Sequence, residues 1–290
     1  MKTMPLAGGF LVFLLALLLL PCTSVRAQTN DSKQFHQAID QAFEKGNLMV
    51  AISTVEWRPG LSMAATKIAT GKTITLELAL SRHESYSFIA TSISENTDID
   101  LYLRDSLGNV LASDKEPDNT PIIEFQVPKT GNYRLQLHVP ASDKAVNYVS
   151  LSLLQSGGHS TLEAEYRDVS DRFFSAATAV ENSHPDISWS SSNQQWSILG
   201  YSLVSEQGLT LNNLRFNTSR YYLAATASPK FEHLALYLAN SKQQIIDSSP
   251  KGSSFPLLDF NASDKEQYDL RVSTGAYHSS GFVFVGIFEH

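Results

Sequence analysis

Two kinds of hydrophobic pattern alternate along the chain. Over residues 31–46, apolar side chains such as Phe35, Ile39 and Phe43 recur every three or four positions, which predicts an amphipathic helix that stops at Gly46. Residues 160–180 have the same helical spacing. Each helical segment is followed by a region in which apolar and polar residues alternate with period two, which indicates β-strands.

The alternating runs are short and are separated by Gly, Pro, Asn and Asp at intervals of roughly ten residues, the spacing typical of a β-sandwich. The first set of runs, within residues 72–154, contains KTITLELAL, YSFIAT, IDLYLRD, IIEFQVP, YRLQLHV and NYVSLSLL. The second set, within residues 209–288, contains LTLNNLRF, YYLAAT, LALYLAN, LLDF, YDLRVS and FVFVGIF.

The two sets of runs form an internal repeat. Leu101-Tyr102-Leu103 and Leu236-Tyr237-Leu238 are 135 residues apart, and the same gapless spacing relates Tyr133 to Tyr268. Register kept over such a distance indicates two diverged copies of one packed unit. We therefore predict a mainly β protein of two tandem antiparallel, jelly-roll-like β-sandwiches, each preceded by one amphipathic helix. The predicted units are copy one, residues 28–158, and copy two, residues 159–290.

The N-terminus resembles a secretory signal peptide, with Lys2, an apolar run from Leu6 to Leu20 and small residues before a predicted cleavage after Ala27. The apolar run is shorter than the roughly 20 residues of a membrane-spanning helix, so we expect residues 1–27 to be removed and no integral membrane span to remain. Lipidation of Cys22 is the alternative left open. The expected location is secreted or periplasmic.

Net charge, cysteine content and missing catalytic motifs argue against several classes of function. Without Lys2 and Arg26, 20 of the 22 basic residues remain against 29 acidic ones, a net charge near −9, which argues against nucleic acid as a partner. The mature chain would contain no cysteine and therefore no disulfide, thiol nucleophile or thiolate metal ligand. The sequence contains neither a His-Glu-x-x-His zinc motif nor a Gly-x-Ser-x-Gly nucleophile motif. We expect no enzyme activity and no cofactor, with hydrolase activity kept as a remote alternative.

Residues 71–155 resemble the bacterial pre-peptidase C-terminal domain. The resemblance rests on the Asp-Leu-Tyr-Leu strand at Asp100–Leu103, the turn glycine Gly108, and Gly131 followed by Tyr133. In copy two, Ala235 and Glu266 replace the aspartate and the second glycine. The resemblance implies a jelly-roll-like sandwich of the kind appended to secreted hydrolases, although we expect no peptidase domain beside the two predicted copies. It also implies that calcium or an insoluble substrate, such as collagen or polysaccharide, is a possible ligand.

The acidic segment at residues 95–114 is the first candidate site. Alternation along the strand predicts that Asp98 and Asp100 point outward, with Tyr102 and Arg104 on the same face. They could supply part of the six to eight oxygens of a calcium site, or form a solvated strand edge. Any calcium site would belong to copy one alone, because copy two has His233 and Ala235 at the positions of the two aspartates.

Aromatic residues are the second candidate. Tyr102 and Tyr237 are predicted to point outward at equivalent positions, and Trp189 and Trp196 lie among Ser, Asn and Gln. Exposed aromatics beside amides stack on sugars or hold extended peptides. The alternative is that both tryptophans pack a helix onto its sandwich, with Trp57 as the counterpart in copy one. We predict a non-catalytic protein that binds polysaccharide or protein matrix, or an accessory subunit or chaperone-like partner of a secreted enzyme or envelope complex.

Overall fold

The computed structural model describes residues 31–290 apart from 162, 191–195, 205–208, 232, 251, 254 and 276–279. The predicted signal peptide and Cys22 therefore lie outside the described residues. Within the described residues, each copy contains one helix followed by nine strands. In copy one these are α1 (Asp31–Ile52), β1 (Val55–Trp57), β2 (Gly60–Ala69), β3 (Thr73–Leu80), β4 (Ser85–Ser92), β5 (Thr97–Arg104), β6 (Val110–Asp114), β7 (Ile122–Gln126), β8 (Gly131–Ser142) and β9 (Val146–Ser156).

Copy two has the same order of elements. They are α2 (Glu163–Ser183), β10 (Ser188–Trp189), β11 (Ile198–Val204), β12 (Leu209–Leu214), β13 (Arg220–Ala227), β14 (Leu234–Asn240), β15 (Ile245–Ser248), β16 (Leu257–Asn261), β17 (Tyr268–Thr274) and β18 (Ser280–Glu289). The predicted boundary between residues 158 and 159 falls between β9 and α2. No helix in the described part of the chain has the length and hydrophobicity needed to cross a membrane.

The strands of each copy form two antiparallel sheets. In copy one, the first sheet has the order β1-β9-β4-β7, with β2 also paired to β9, and the second has the order β3-β8-β5-β6. In copy two the corresponding orders are β10-β18-β13-β16, with β11 paired to β18, and β12-β17-β14-β15. Two facing four-stranded arrays with the orders β2-β9-β4-β7 and β3-β8-β5-β6 in copy one, and their equivalents in copy two, have the strand order of a jelly roll. The predicted fold class is confirmed.

Alternation along β9 shows how the layers are built. Leu151 and Leu153 point into the core between the two sheets, where both are fully buried. Ser150 and Ser152 point the other way, and their hydroxyls donate hydrogen bonds of 2.7 and 2.6 Å to backbone carbonyls of α1. One face of the first sheet therefore lines the sandwich and the other carries the helix.

The two copies share their cores. On the helix side, the rings of Phe43 in α1 and Tyr166 in α2 stack with centroids 3.7 Å apart, and the Tyr166 hydroxyl donates to Asp40 Oδ1 at 2.7 Å. Between the sandwiches, β2 packs beside β11, and Ser197 N donates to the carbonyl of Ala65 at 3.0 Å. A continuous set of buried residues runs through both sandwiches. We therefore expect the copies to unfold together.

The first helix does not stop where its glycine predicts. It continues past Gly46 to Ile52, and Gly46 is instead a contact point for a side chain of the following strand. A β-carbon on Gly46 would lie 2.4 Å from Cη2 of Trp57, so only glycine lets the indole pack against the helix at this position.

The sequence pattern also misses β2 and β11. Both lie between a sandwich core and the helix side, so β2 has five consecutive buried residues from Ser62 to Thr66 and no alternation to detect. Trp57 and Trp189 do occupy corresponding places, each at the end of a short strand that pairs with the last strand of its copy.

Candidate ligand-binding site

A row of four side chains crosses the outer face of the second sheet of copy one. Backbone register places Thr75 beside Gln136, Gln136 beside Tyr102, and Tyr102 beside Ser113, on strands β3, β8, β5 and β6. Side chains of directly paired residues point to the same face of a sheet. Because the neighbouring residues Leu101 and Leu103 are buried in the sandwich, these four face outward. We call them row one.

Copy two carries the same row. Thr210 is paired with Arg271, Arg271 with Tyr237, and Tyr237 with Ser248, on β12, β17, β14 and β15. We call these residues row two. Each member lies 135 residues after its counterpart, and three of the four residue types are identical. Both tyrosine side chains are partly exposed. The prediction that the two tyrosines occupy equivalent outward positions therefore agrees with the strand register.

Neighbouring polar groups fix the position of Tyr102. Its hydroxyl donates to Asp100 Oδ2 at 2.8 Å, and the guanidinium carbon of Arg104 lies 5.5 Å from the ring centroid. Arg104 is itself held by Gln136 Oε1 at 2.8 Å and by the carbonyl of Gly108 at 2.9 Å. Partial burial, followed by the bond to Asp100, raises the pKa of the Tyr102 hydroxyl. The ring is therefore presented in a defined orientation, as a neutral phenol.

Tyr237 has different neighbours. Ala235 and Ala239 replace Asp100 and Arg104 on its strand, so the small side chains beside it offer no hydrogen bond or charge. Arg271 replaces Gln136 as its cross-strand neighbour. The two rows thus share a threonine, a tyrosine, a serine and a long polar side chain beside the tyrosine, whereas the acid and the arginine on the tyrosine's own strand belong to copy one.

The predicted calcium candidates lie at the end of β5. Asp98 Oδ1 is buried and accepts no hydrogen bond from the described residues. Desolvation raises the pKa of the Asp98 carboxyl, and the nearby charges of Asp100 and Asp118 act in the same direction, while His138 opposes them. Among the residues that the structure describes, no group of three or more acidic, histidine or cysteine side chains is arranged to hold a metal ion. Binding of calcium by Asp98 and Asp100 stays a prediction.

The two candidate tryptophans lie inside the protein. Trp189 is 1% exposed and packs among the aromatic residues of the helix layer, where its Nε1 donates to Ser32 Oγ at 3.2 Å. Trp196 is 4% exposed, and its Nε1 donates to the carbonyl of Thr75 at 3.2 Å. Neither side chain presents a ring face on which a sugar could stack. Their placement favours the packing alternative over direct ligand contact.

Trp196 does, however, form part of the wall of a cleft between the two sandwiches. The cleft has a volume of about 720 Å³. Copy one contributes Thr75, Glu77 and Arg134, and copy two contributes polar side chains from β12 and from the loop before β17. Sequence reasoning did not identify this site, because residues more than 50 positions apart meet there only through packing of the copies.

Comparison with known proteins identifies no family. No family model matches the sequence, and no curated protein matches it. A periplasmic inhibitor of g-type lysozyme, PliG from Aeromonas hydrophila, is 14% identical over 32% of this chain and 87% of its own, with a TM-score of 0.25. The tandem CBM22-1-CBM22-2 domains of Paenibacillus barcinonensis Xyn10C are 11% identical over 78% of this chain and 90% of their own, with a TM-score of 0.21. TmCBM61 in complex with β-1,4-galactotriose is 13% identical over 39% of this chain and 92% of its own, with a TM-score of 0.23.

Proposed function

We propose that this protein is a secreted or periplasmic, non-catalytic protein that binds polysaccharide through row one and row two. The observation that carries the proposal is the recurrence of an outward Thr, Tyr and Ser in the same cross-strand register of both copies. A tyrosine face stacks on the apolar face of a sugar ring, and hydroxyl and amide groups exchange hydrogen bonds with its hydroxyls. The resemblance of residues 71–155 to the pre-peptidase C-terminal domain belongs to the same proposal.

Two rows on one rigid chain favour a long, repetitive ligand. Once one row has bound, the other meets the same polymer at a high effective concentration, which can raise the apparent affinity by roughly 10²–10⁴ over one row alone. The shared cores hold the two rows at a fixed separation. We therefore expect retention on an insoluble polysaccharide to depend on both tyrosines together.

Retention on insoluble polysaccharides tests the proposal. Tyr102→Ala and Tyr237→Ala are each expected to weaken retention, and the double variant is expected to abolish it. Tyr102→Phe with Tyr237→Phe is the matched control, since it keeps both ring faces and removes only the hydroxyls. Glu124→Ala, on the exposed edge strand β7, controls for surface substitutions in general. Equal retention of the double alanine variant and the wild type on every polysaccharide that the wild type binds would contradict the proposal.

A second candidate function is docking to a protein partner, as in an accessory subunit. It is favoured by exposed aliphatic residues on the edge strands of both sandwiches. Three such positions in copy one recur 135 residues later in copy two, and the pairs are Val110 with Ile245, Leu111 with Ile246, and Ile122 with Leu257. Contiguous exposed apolar patches on a protein surface mark sites of interaction with other proteins. A partner that purifies with the wild type, and is lost with Val110→Lys and Ile245→Lys but kept in the double tyrosine variant, would support this function.

A further inference from the structure

The cleft between the sandwiches concentrates positive charge in an acidic protein. The chain as a whole carries a formal charge of −7. Among the described residues, the charged side chains that line the cleft are Arg134 from copy one, Arg215 from copy two, and one acid, Glu77. Glu77 Oε1 lies 3.7 Å from Nε of Arg134, which is longer than a hydrogen bond, and both side chains are about half or more exposed. Glu77 therefore neutralises the cleft only in part.

Arg215 is positioned by a neighbouring amide. With the amide oxygen of Gln267 facing it, Arg215 donates to that oxygen from Nε at 3.2 Å and from Nη2 at 2.8 Å. A guanidinium held in this way loses less freedom when it binds a ligand. The remaining hydrogens on its two Nη atoms form a planar pair of donors that matches the two oxygens of a carboxylate.

The same wall carries two amides on an irregular strand. The pairing of β12 with β17 shifts register between Leu211 and Leu214, and Asn213 has a φ of 62°, in the left-handed region. Asp269 Oδ1 accepts a hydrogen bond from Asn213 N at 3.0 Å and supports this conformation. The irregularity puts Asn212 and Asn213 in succession beside the cleft, where amides can hydrogen-bond to sugar hydroxyls.

The cleft is continuous with row one. Thr75 is the first member of row one and also lines the cleft. Arg134 precedes Gln136 of row one by two residues on β8, so the two side chains lie on the same face of the sheet. A saccharide chain lying along row one would therefore reach the cleft.

We propose that this cleft binds a carboxylate-bearing sugar residue, with Arg134 and Arg215 on the carboxylate and the amides of Asn212 and Asn213 on the hydroxyls. This inference rests on the proposed function and narrows its ligand to an acidic polysaccharide containing uronic acid. The carboxylate accounts for one arginine from each copy, and the hydroxyls account for the two amides of copy two, in a cleft that continues from row one.

Calorimetric titration of the full chain with a galacturonate tetramer, in low salt with a calcium chelator, tests the inference. The fully methyl-esterified tetramer is the neutral comparison. Arg134→Gln and Arg215→Gln are each expected to weaken binding of the acid form by roughly tenfold or more, because each removes a charge-assisted hydrogen bond. Binding of the ester is expected to be weaker in the wild type and unchanged by these substitutions. Arg82→Gln, outside the cleft, is the matched control.

The outcomes separate this inference from the proposed function. Equal affinity for acid and ester, or an acid affinity that survives the double arginine substitution, overturns the inference. If retention on neutral polysaccharide still requires Tyr102 and Tyr237, the proposed function stands without it. Failure to bind the acid tetramer, together with no tyrosine-dependent retention on any polysaccharide, overturns both.

Discussion

Replacement of Trp189 by alanine separates a packing role from a ligand-binding role. The indole lies among four aromatic rings, with centroid distances of 5.0 Å to Phe35, 6.1 Å to Phe173, 6.4 Å to Phe174 and 4.2 Å to Phe288. These residues belong to α1, α2 and β18, so the side chain joins both helices to the sheet. Its removal leaves a cavity that no single neighbour can fill.

The expected cost of this cavity is large. Truncation of a buried tryptophan to alanine typically destabilises a protein by about 3–5 kcal/mol. Loss of the hydrogen bond from Nε1 to Ser32 Oγ adds about 1 kcal/mol. Against a total stability of about 5–15 kcal/mol, the variant should unfold at a markedly lower urea concentration. The cavity term alone corresponds to a fall of about 6–20 °C in Tm for a protein of this size.

Urea unfolding followed by circular dichroism measures the effect. Trp189→Phe keeps an aromatic ring in the layer and is expected to lose only about 1–2 kcal/mol. Tyr237→Ala, at a partly exposed position, should remain within about 1 kcal/mol of the wild type. If Trp189→Ala unfolded at the wild-type midpoint but lost polysaccharide retention, the packing assignment would be wrong.

Three further outcomes follow from single sites. Asp98→Asn should be more stable than the wild type near neutral pH. The pKa of the Asp98 carboxyl is raised in the folded state, so the wild-type protein loses stability as the pH rises through that pKa. The urea midpoints of the two proteins should converge as the pH falls below the usual aspartate range of about 4. Calorimetry with calcium should show no site tighter than about millimolar, since two carboxylates supply too few of the six to eight oxygens; a micromolar site lost in Asp98→Ala would contradict this. Gly46→Ala would stabilise an ordinary helix by about 1 kcal/mol. Here it should instead destabilise the protein by about 1–3 kcal/mol, because the new methyl would lie 2.4 Å from the Trp57 ring. A raised Tm of the variant would refute that contact.

The sequence predicts those parts of the fold that have a periodic signal. The gapless spacing of 135 residues between Leu101 and Leu236 relates strands that do occupy equivalent places in two jelly rolls. Strands such as β5, with one face in the core and one face outward, show full alternation and were identified. Strand β2 was missed because both of its faces are covered, so its sequence has no polar face to reveal its period.

Only part of the candidate site can be predicted from the sequence. The outward orientation of Tyr102 follows from its position in an alternating strand. The other members of row one cannot be predicted in this way, because Thr75, Gln136 and Ser113 become neighbours of Tyr102 only through the register of three separate strand pairings. The cleft is harder still to predict from sequence, because Arg134 and Arg215 come to line the same space only when the two copies pack together.

A comparison of the second sheet in the two copies separates residues that recur because they fill the core from residues that recur on the outer face. Leu101 and Leu103 recur as Leu236 and Leu238 because both copies need the same apolar core. Core packing does not constrain the outer face, and Asp98 and Asp100 have been replaced there in copy two. Tyr102 lies on that same outer face, yet it recurs as Tyr237 together with the Thr and Ser of its row. A residue that recurs without a core to fill is explained by a shared role at the surface, and the rows are therefore where ligand binding should be sought first.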